Sequence, residues 1–451
     1  MQAGEMTTDS TICAISTAPG VGGIAVVRVS GPQAIAVVGR IWRGKDLGTV
    51  ASHTAHLGRV MQADGAELDQ AVATVFRAPN SYTGQDVVEL SVHGSVFVQR
   101  ELLQTLMHAG ARMAGPGEFT QRAFMAGKMD LAQAEAVADV IASTSRAAHR
   151  VAMSQMRGSF SRRLEQLRTQ LVDLAALLEL ELDFSEEDVE FASRQRLMEL
   201  AGQVRAEVSR LLGSFSAGQA VKEGIPVAIV GAVNAGKSSL LNALVGDDRA
   251  IVSDIPGTTR DTVEETVELG DYRLRFIDTA GLRHTSDTVE QIGIDRARAA
   301  IAKARIVIAV TDSTMDAPDP ELESALSATP IPHLIRVNSK ADLTAATGLA
   351  VSTVTGEGLD ELRQALIAAA EADTAGAEGE DILVTNARHA QALSDALDAV
   401  TRFTRSLADG LPTDLAAHDL RATIQALASI TGAISTTDIL TTIFSHFCIG
   451  K

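Results

Sequence analysis

The chain has 451 residues, enough for about three domains. Apolar residues make up 46% and charged residues 21%, the balance of a folded globular protein rather than a disordered one. A net charge of −18 argues against non-specific wrapping of nucleic acid, which needs a surplus of Lys and Arg, though it leaves room for a local basic patch or an RNA-carrying partner. No apolar run approaches the ~18 residues of a membrane span. The opening residues (MQAGEMTTDS) lack a basic segment followed by an apolar one, so no signal peptide is expected. Two cysteines, Cys13 and Cys448, cannot build a disulfide framework and fit a reducing, cytoplasmic location.

From Thr11 to Ser30 the chain reads as strand, Gly-rich turn, strand, with Gly31-Pro32 as the stop. Residues 54–62, 69–77 and 86–93 are further strand candidates, separated by Asp64-Gly65, Pro79-Asn80 and Thr83-Gly84, and a helix is expected near 95–109. Residues 1–122 therefore read as a compact α+β domain. From about 129 to 222 there is no proline, and Leu164, Leu167, Leu171, Leu174 and Leu178 recur at 3-4 spacing, the pattern of a helix buried against other helices. Helical composition returns at about 380–445. The economical arrangement is a helical domain in two segments (123–222 and 376–451) with an α/β unit (223–375) inserted between them. The Ala/Gly/Glu-rich stretch from Ala372 to Glu380 reads as a linker at the second boundary.

The inserted unit carries the densest chemistry. Val227 to Val230 read as a buried strand, Gly231 opens a loop, and a helix begins at Ser238-Ser239. The loop fits G-x-x-x-x-G-K-[ST], with Gly231, Gly236, Lys237 and Ser238 in the fixed places. Glycines let backbone N–H groups turn around phosphate oxygens, the helix N-terminus adds positive potential, Lys237 reaches the outer phosphates, and the Ser238 hydroxyl serves Mg²⁺. Asn234, Ala235 and Ser239 belong to the same cradle. Downstream, Thr259 in Ile255-Pro256-Gly257-Thr258-Thr259 is the candidate to complete the Mg²⁺ shell and sense the γ-phosphate. A strand over Leu274–Ile277 leads to Asp278-Thr279-Ala280-Gly281, where Asp278 is a Walker-B-type carboxylate and the Gly281 amide can meet the γ-phosphate. A P-loop with D-x-x-G at this spacing points to a switch GTPase. Leu282 stands where Ras-type enzymes have a water-orienting Gln, so that task falls elsewhere. Glu290 is the nearest candidate, although its position alone also suits a solvated surface residue.

Base choice is expected after the strand Leu334–Val337, where GTPases usually show N-K-x-D. Here Ser339 takes the Asn position, followed by Lys340, Ala341 and Asp342. The Asp accepts from guanine N1–H and N2–H, the Lys packs along the base, and the Asn normally bonds the base edge and the loop. Guanine is still favoured, with reduced affinity expected from Ser339. The stretch Val351–Gly356 resembles the last base-contacting loop, with Ser352 as the contact.

With these residues assembled, the chain resembles the MnmE (TrmE) family of tRNA-modification GTPases over essentially its whole length. The resemblance rests on TAPGVGGIAVVRVSG, APNSYTGQDVVELSVHG, GPGEFTQRAFMAGKMDLAQAEAVADVI, GAVNAGKSSLLN, IPGTTRD, DTAGLR and FCIGK. It implies a multidomain α/β chain: an α+β folate-binding-like N-terminal domain that dimerises, a discontinuous α-helical domain, and an inserted P-loop Ras-like G domain. It further implies that Arg28, Glu89, Lys128 and Lys451 contact a 5-formyl- or methylene-tetrahydrofolate, whose anionic tail and pterin amide edge suit a cation and a carboxylate. Read without the family, Arg28 is a strand-end surface charge and Lys128 a helix-cap cation.

The resemblance also implies GTP hydrolysis activated by G-domain dimerisation in K⁺. Asn234 would be the signature K⁺ ligand, with backbone carbonyls of Ser253, Ile255 and Thr258, in the loop that also holds Asp254. Mg²⁺ would use Ser238 and Thr259, and Glu290 would orient the water. Cys448 is either a buried apolar filler or a reactive thiol, and the resemblance places its tail near the folate site. The expected activity is modification of the wobble uridine of tRNA with an FAD-containing MnmG/GidA-family partner, in a heterotetramer or larger assembly that meets tRNA mainly through that partner. A ribosome-assembly GTPase is the rival reading, but the basic RNA-binding domain it needs is not found. Val233, in place of the usual Pro, is expected to alter only loop stiffness.

Overall fold

A computed structural model describes residues 9–183, 194–246, 265–277, 290–315, 319–344, 347–378, 382–409, 413–434, 437–445, 447 and 449–450. The chain divides into two compact units, Met1–Ala138 with Thr431–Lys451, and Asp139–Ile430.

The first unit is built on a sheet of β1 (Ile12–Ile15), β2 (Gly22–Ser30), β3 (Trp42–Gly44), β4 (Thr54–Met61), β5 (Glu67–Phe76), β6 (Val87–Gly94) and β7 (Arg112–Met113). Their order is β3-β4-β5-β6-β2-β1-β7, antiparallel except for the β1–β7 pair. Period-2 alternation divides each strand between two faces. Ala25, Val27 and Val29 point into a core closed by α1 (Ala34–Ile41) and α2 (Val96–His108), which supply Val37, Val38, Leu102 and Leu106. Ile12 and Ala14 point the other way, against Ala114 and Phe119, with Tyr82 packed alongside. Register pairs Ala14 with Arg28, so Arg28 lies on this second face.

Helices α3 (Glu118–Met125) and α4 (Leu131–Ala142) follow. The helix Thr437–Ser445, from the far end of the sequence, packs on α3. Phe444 and Phe447 are buried with Leu131 and Ala134. Beyond them Ile449 bridges Pro116, and Ser16 Oγ donates to the Gly450 carbonyl over 3.1 Å. A Cβ on Gly450 would lie 2.0 Å from the Ile15 carbonyl, so only glycine lets the tail come this close to β1.

In the second unit, α5 (Arg146–Met156), α6 (Ser159–Asp183), α7 (Arg194–Gly213) and α8 (Phe215–Glu223) lead into the α/β part. All five leucines of the 3-4 pattern on α6 are buried. Leu197, Ala201, Val204, Val208 and Leu211 form the matching stripe on α7. Each such leucine contributes ~1.5–3 kcal/mol of burial.

The α/β part comprises β8 (Ile225–Gly231), α9 (Lys237–Gly246), β9 (Glu265–Leu269), β10 (Tyr272–Phe276), α10 (Glu290–Lys303), β11 (Ile306–Asp312), α11 (Pro320–Ala328), β12 (His333–Ser339), β13 (Ala350–Val351) and α12 (Leu359–Glu378). Among the described residues the sheet order is β13-β12-β11-β8-β10-β9, parallel except for β9. Its central strand is apolar on both sides because both faces are covered. Val227 and Ile229 face Leu240, Leu244, Leu362 and Leu366, whereas Ala228 and Val230 face Ile301, Val307 and Leu326.

The stretch expected as a linker from Ala372 is instead the end of α12, which runs to Glu378. Alanine is the best helix former, so small-residue composition does not break a helix there. Asp373 also anchors it, its side chain 1% exposed and paired with Arg305 at 2.6 Å. The return to the helices comes later, through Leu383 and Val384. Gln155 donates to the Leu383 carbonyl over 2.6 Å, the Val384 amide donates to Ser214, and Gly218 passes beneath the Val384 carbonyl. Helices α13 (Ala387–Ala408) and α14 (Thr413–Thr431) complete the unit, α13 packing on α7.

The hairpin β9–β10 is tied to α5. Asp271 at its turn meets Arg146 at 3.4 Å and Arg150 at 3.3 Å, and its carbonyl accepts from the Ala147 amide.

Candidate functional site

In open α/β sheets, ligands bind beyond the carboxyl ends of the parallel strands. Here the ends of β8, β11 and β12 carry the P-loop, Asp312 and Ser339. At the end of β8, a Cβ on Gly231 would sit 2.4 Å from the Val310 carbonyl, so the strand can cross this close to β11 only as glycine. The loop then turns through two left-handed residues, Asn234 (φ 63°) and Gly236 (φ 84°). Asparagine is among the few side chains that adopt this region readily, and here it leaves the Asn234 side chain exposed. Ala235 is buried beneath the loop, while Lys237, Ser238 and Ser239 form the first turn of α9. Lys237 Nζ spans the loop, donating to the carbonyls of Gly231 (2.9 Å) and Ala232 (2.7 Å). Burial pulls its pKa below the ordinary lysine value, because neutral carbonyls do not repay the lost hydration of a charge. An anion beside it would repay that cost.

An open pocket of about 240 Å³ lies next to the P-loop, lined among others by Gly236, Ser239, Ser339, Lys340, Asp342 and Val351. Three side-chain contacts order its polar wall. The Ser339 hydroxyl, on a residue only 6% exposed, lies 2.8 Å from the Ala235 carbonyl and 3.2 Å from the Thr311 carbonyl. The serine that stands in place of the usual Asn therefore still ties this loop to the P-loop. Ser352, fully buried, donates to Asp342 Oδ1 over 2.6 Å and accepts from the amides of Val354 and Thr355. The Ala341 amide donates to the Val351 carbonyl. Asp342 is thus oriented with its second oxygen available to a ligand.

The third contact was missed in the sequence: Lys340 Nζ is paired with Asp312 Oδ2 at 2.5 Å. Lys340, with the Thr314 amide and hydroxyl, holds the Asp312 carboxyl at about 2, below the usual carboxylate range. The only signal was an acid ending a strand that opens on five apolar residues, IVIAVTD.

In the first unit, β2 and β6 place Arg28 directly opposite Glu89. The guanidinium donates to Glu89 through Nε (2.9 Å) and pairs through its terminal nitrogen (2.8 Å). It lies 5.2 Å from the Tyr82 ring centre and 5.7 Å from that of Phe119, within cation–π range. Burial raises the Tyr82 pKa, and the hydroxyl bonds Thr120 at 2.9 Å. Tyr82 and Phe119 were not anticipated, since nothing in sequence order brings them to Arg28. Lys128 is exposed, its stem running over Gly84 in the Tyr82 loop. The tail at Ile449 and Gly450 lies along Ile15, next to the Ala14 that pairs with Arg28.

Ser253, Asp254, Ile255, Pro256, Gly257, Thr258, Thr259, Asp278, Thr279, Ala280, Gly281, Cys448 and Lys451 lie outside the described residues. Glu290 opens α10, and its side chain also lies outside them. Among the described residues no helix is long and apolar enough to cross a membrane.

Residues 11–128 match the GTP-binding protein TrmE N-terminus, and residues 131–448 match the MnmE helical domain. The chain is 48% identical to the tRNA modification GTPase MnmE of Parabacteroides distasonis, over 98% of this chain and 100% of that protein. It is 46% identical to that of Porphyromonas gingivalis, over 98% of each. Among solved structures, the G domain of the T. maritima FeoB iron transporter is 28% identical, covering 32% of this chain and 98% of that one, with a TM-score of 0.24. A phosphate loop, an ordered base pocket beside it and 46–48% identity over 98% of the chain to the two MnmE proteins lead to one conclusion: the chain belongs to the MnmE family of tRNA modification GTPases and is a GTP hydrolase acting in tRNA modification.

Proposed function

We propose that the protein is a K⁺-dependent GTPase that works as a homodimer in the cytoplasm. With an FAD-containing MnmG/GidA-family partner, it modifies C5 of the wobble uridine of tRNA with an aminomethyl-type group, the one-carbon unit coming from a tetrahydrofolate. The observation that carries this reading is the P-loop of a GTPase with an exposed Asn at its left-handed position, Asn234. An amide oxygen there is a hard, neutral donor suited to a monovalent cation, and the Ser238 hydroxyl suits Mg²⁺. In this reading the carbonyls of Ser253, Ile255 and Thr258 complete the K⁺ site, Thr259 completes the Mg²⁺ shell, and Glu290 orients water. K⁺, when bound, supplies positive charge where other GTPases use an arginine finger. Lys340, Asp342 and Ser352 hold guanine, and Ser339 braces their loop against the P-loop.

The N-terminal pair supports the folate assignment. Arg28 offers a cation to an anionic tail and Glu89 a carboxylate to a pterin amide edge, beneath two aromatic rings. Lys128, Lys451 and Cys448 are assigned to the same site. The domains in this reading are 1–122, 123–222 with the segment that returns from Leu383 onward, and the inserted unit from 223 through the end of α12. The acidic net charge of −18 fits a division of labour in which the partner makes most tRNA contacts.

The test is GTP hydrolysis in K⁺ against Na⁺ at equal ionic strength, with Asn234→Ala alongside. Strong stimulation by K⁺ that the variant loses is the expected result. Equal rates in both salts refute the cation-assisted mechanism and turn attention to a partner-supplied catalytic group.

A further inference from the structure

Asp312 has no place in the phosphate or base chemistry described so far, yet it is one of the most constrained carboxylates near the pocket. It ends β11 directly opposite Ser339 of β12, and the residue is 7% exposed. One oxygen accepts from the Thr314 amide (2.9 Å) and hydroxyl (2.7 Å), which fixes the carboxylate plane. The other oxygen takes Lys340 Nζ at 2.5 Å. Lys340 itself has a left-handed backbone, φ 57°, and its carbonyl accepts from Ser313 Oγ over 3.0 Å and from the Leu343 amide. Backbone and side-chain tip are therefore both pinned by the β11 end, and the alkyl stem between them is left as a wall of the 240 Å³ pocket.

We propose that Asp312 is a positioning residue for nucleotide binding: it holds Lys340 extended so that its stem forms a ready-made face for the base. The inference rests on the reading that Lys340 and Asp342 bind guanine. A lysine left to itself samples many rotamers, and ordering it at the moment of binding costs affinity. A lysine already fixed by a buried, clamped carboxylate avoids that cost, which is preorganisation in its ordinary sense. The contribution acts on the guanine nucleoside common to GTP and GDP, so both nucleotides gain equally.

The experiment measures the dissociation constants of fluorescently labelled GDP and of a non-hydrolysable GTP analogue for full-length protein. Four forms are compared: wild type, Asp312→Asn, Lys340→Met and the double variant. Asp312→Asn keeps an oxygen for Thr314 and removes the charge that holds Lys340. It is expected to weaken both nucleotides about ten-fold, equivalent to ~1.4 kcal/mol. In the Lys340→Met background the same change is expected to do nothing further, and in turnover the loss falls on KM rather than kcat. Asp312→Glu, which keeps the charge, should recover most of the affinity. An equal loss in both backgrounds, or no loss from Asp312→Asn while Lys340→Met weakens binding, overturns the proposal. If Lys340→Met itself leaves affinity unchanged, it is the base-site reading that fails.

Discussion

Ser339 makes a sharp prediction about which edges of guanine are read. A serine hydroxyl has one proton, and at Ser339 that proton faces the carbonyls of Ala235 (2.8 Å) and Thr311 (3.2 Å). Guanine N7 is an acceptor, so it would be a third claimant on a proton already committed. An asparagine in the same place has two N–H groups, one for Ala235 and one to spare. The protein should therefore bind 7-deaza-GDP, which lacks the N7 acceptor, within two-fold of GDP. Ser339→Asn should create a preference for GDP. A net hydrogen bond is worth ~0.5–1.5 kcal/mol, so the preference should be about two- to twelve-fold. Competition of the two nucleotides against a fluorescent GDP, on both proteins, measures it directly. A wild-type protein that binds 7-deaza-GDP five-fold or more weakly than GDP would show that Ser339 donates to the base after all, and the reasoning would be wrong.

Two further expectations concern stability of the second unit. The Glu207 carboxylate, hydrogen-bonded by Arg210 and Arg163, is held at about 2 against an ordinary 4.5. Because its folded pKa is depressed, its contribution is complete above pH ~4.5 and is lost as pH falls towards 2. With solvent screening of the partly exposed arginines, Glu207→Gln should lower the unfolding free energy by about 1–2 kcal/mol at pH 7 and by much less near pH 2.5, as urea titrations at the two pH values would show. A failure of the difference to shrink in acid would dismiss the pair as the cause. Gly218→Ala places a methyl 2.1 Å from the Val384 carbonyl, a backbone atom that cannot swing aside. It should cost about 1–3 kcal/mol by overpacking, and calorimetry showing an unchanged melting temperature would contradict the close crossing.

How much of this was legible in the sequence depended on whether chemistry or tertiary register set the residue. The P-loop could be read because phosphate geometry fixes the spacing of Gly231, Gly236, Lys237 and Ser238 within one short segment. The buried face of α6 could be read because five leucines repeat its helical period. The Arg28–Glu89 pair joins residues 61 apart, through the register of β2 on β6, and no local signal carries that information. Family resemblance named each of them as a folate contact, but that they pair with one another, beneath the aromatic rings of Tyr82 and Phe119, was not reached at all. Asp312 was overlooked for a similar reason: its significance lies in Lys340, which arrives just past the end of the next strand. The misread stretch from Ala372 shows the opposite failure, composition taken as conformation, where an ion pair to Arg305 and alanine's helix preference decide the outcome.

The docking of Phe444, Phe447 and Gly450 into the first unit has a consequence for biosynthesis. A ribosome makes about 5–20 residues per second, and about 300 residues separate the two sequence segments of this unit, so roughly 15–60 s pass between them. Throughout that interval the seat formed by Leu131, Ala134, Phe124 and Gly117 has no occupant from its own chain. The domain that emerges first is thus among the last to be finished. In that interval its uncovered apolar seat is a surface of the kind chaperones bind.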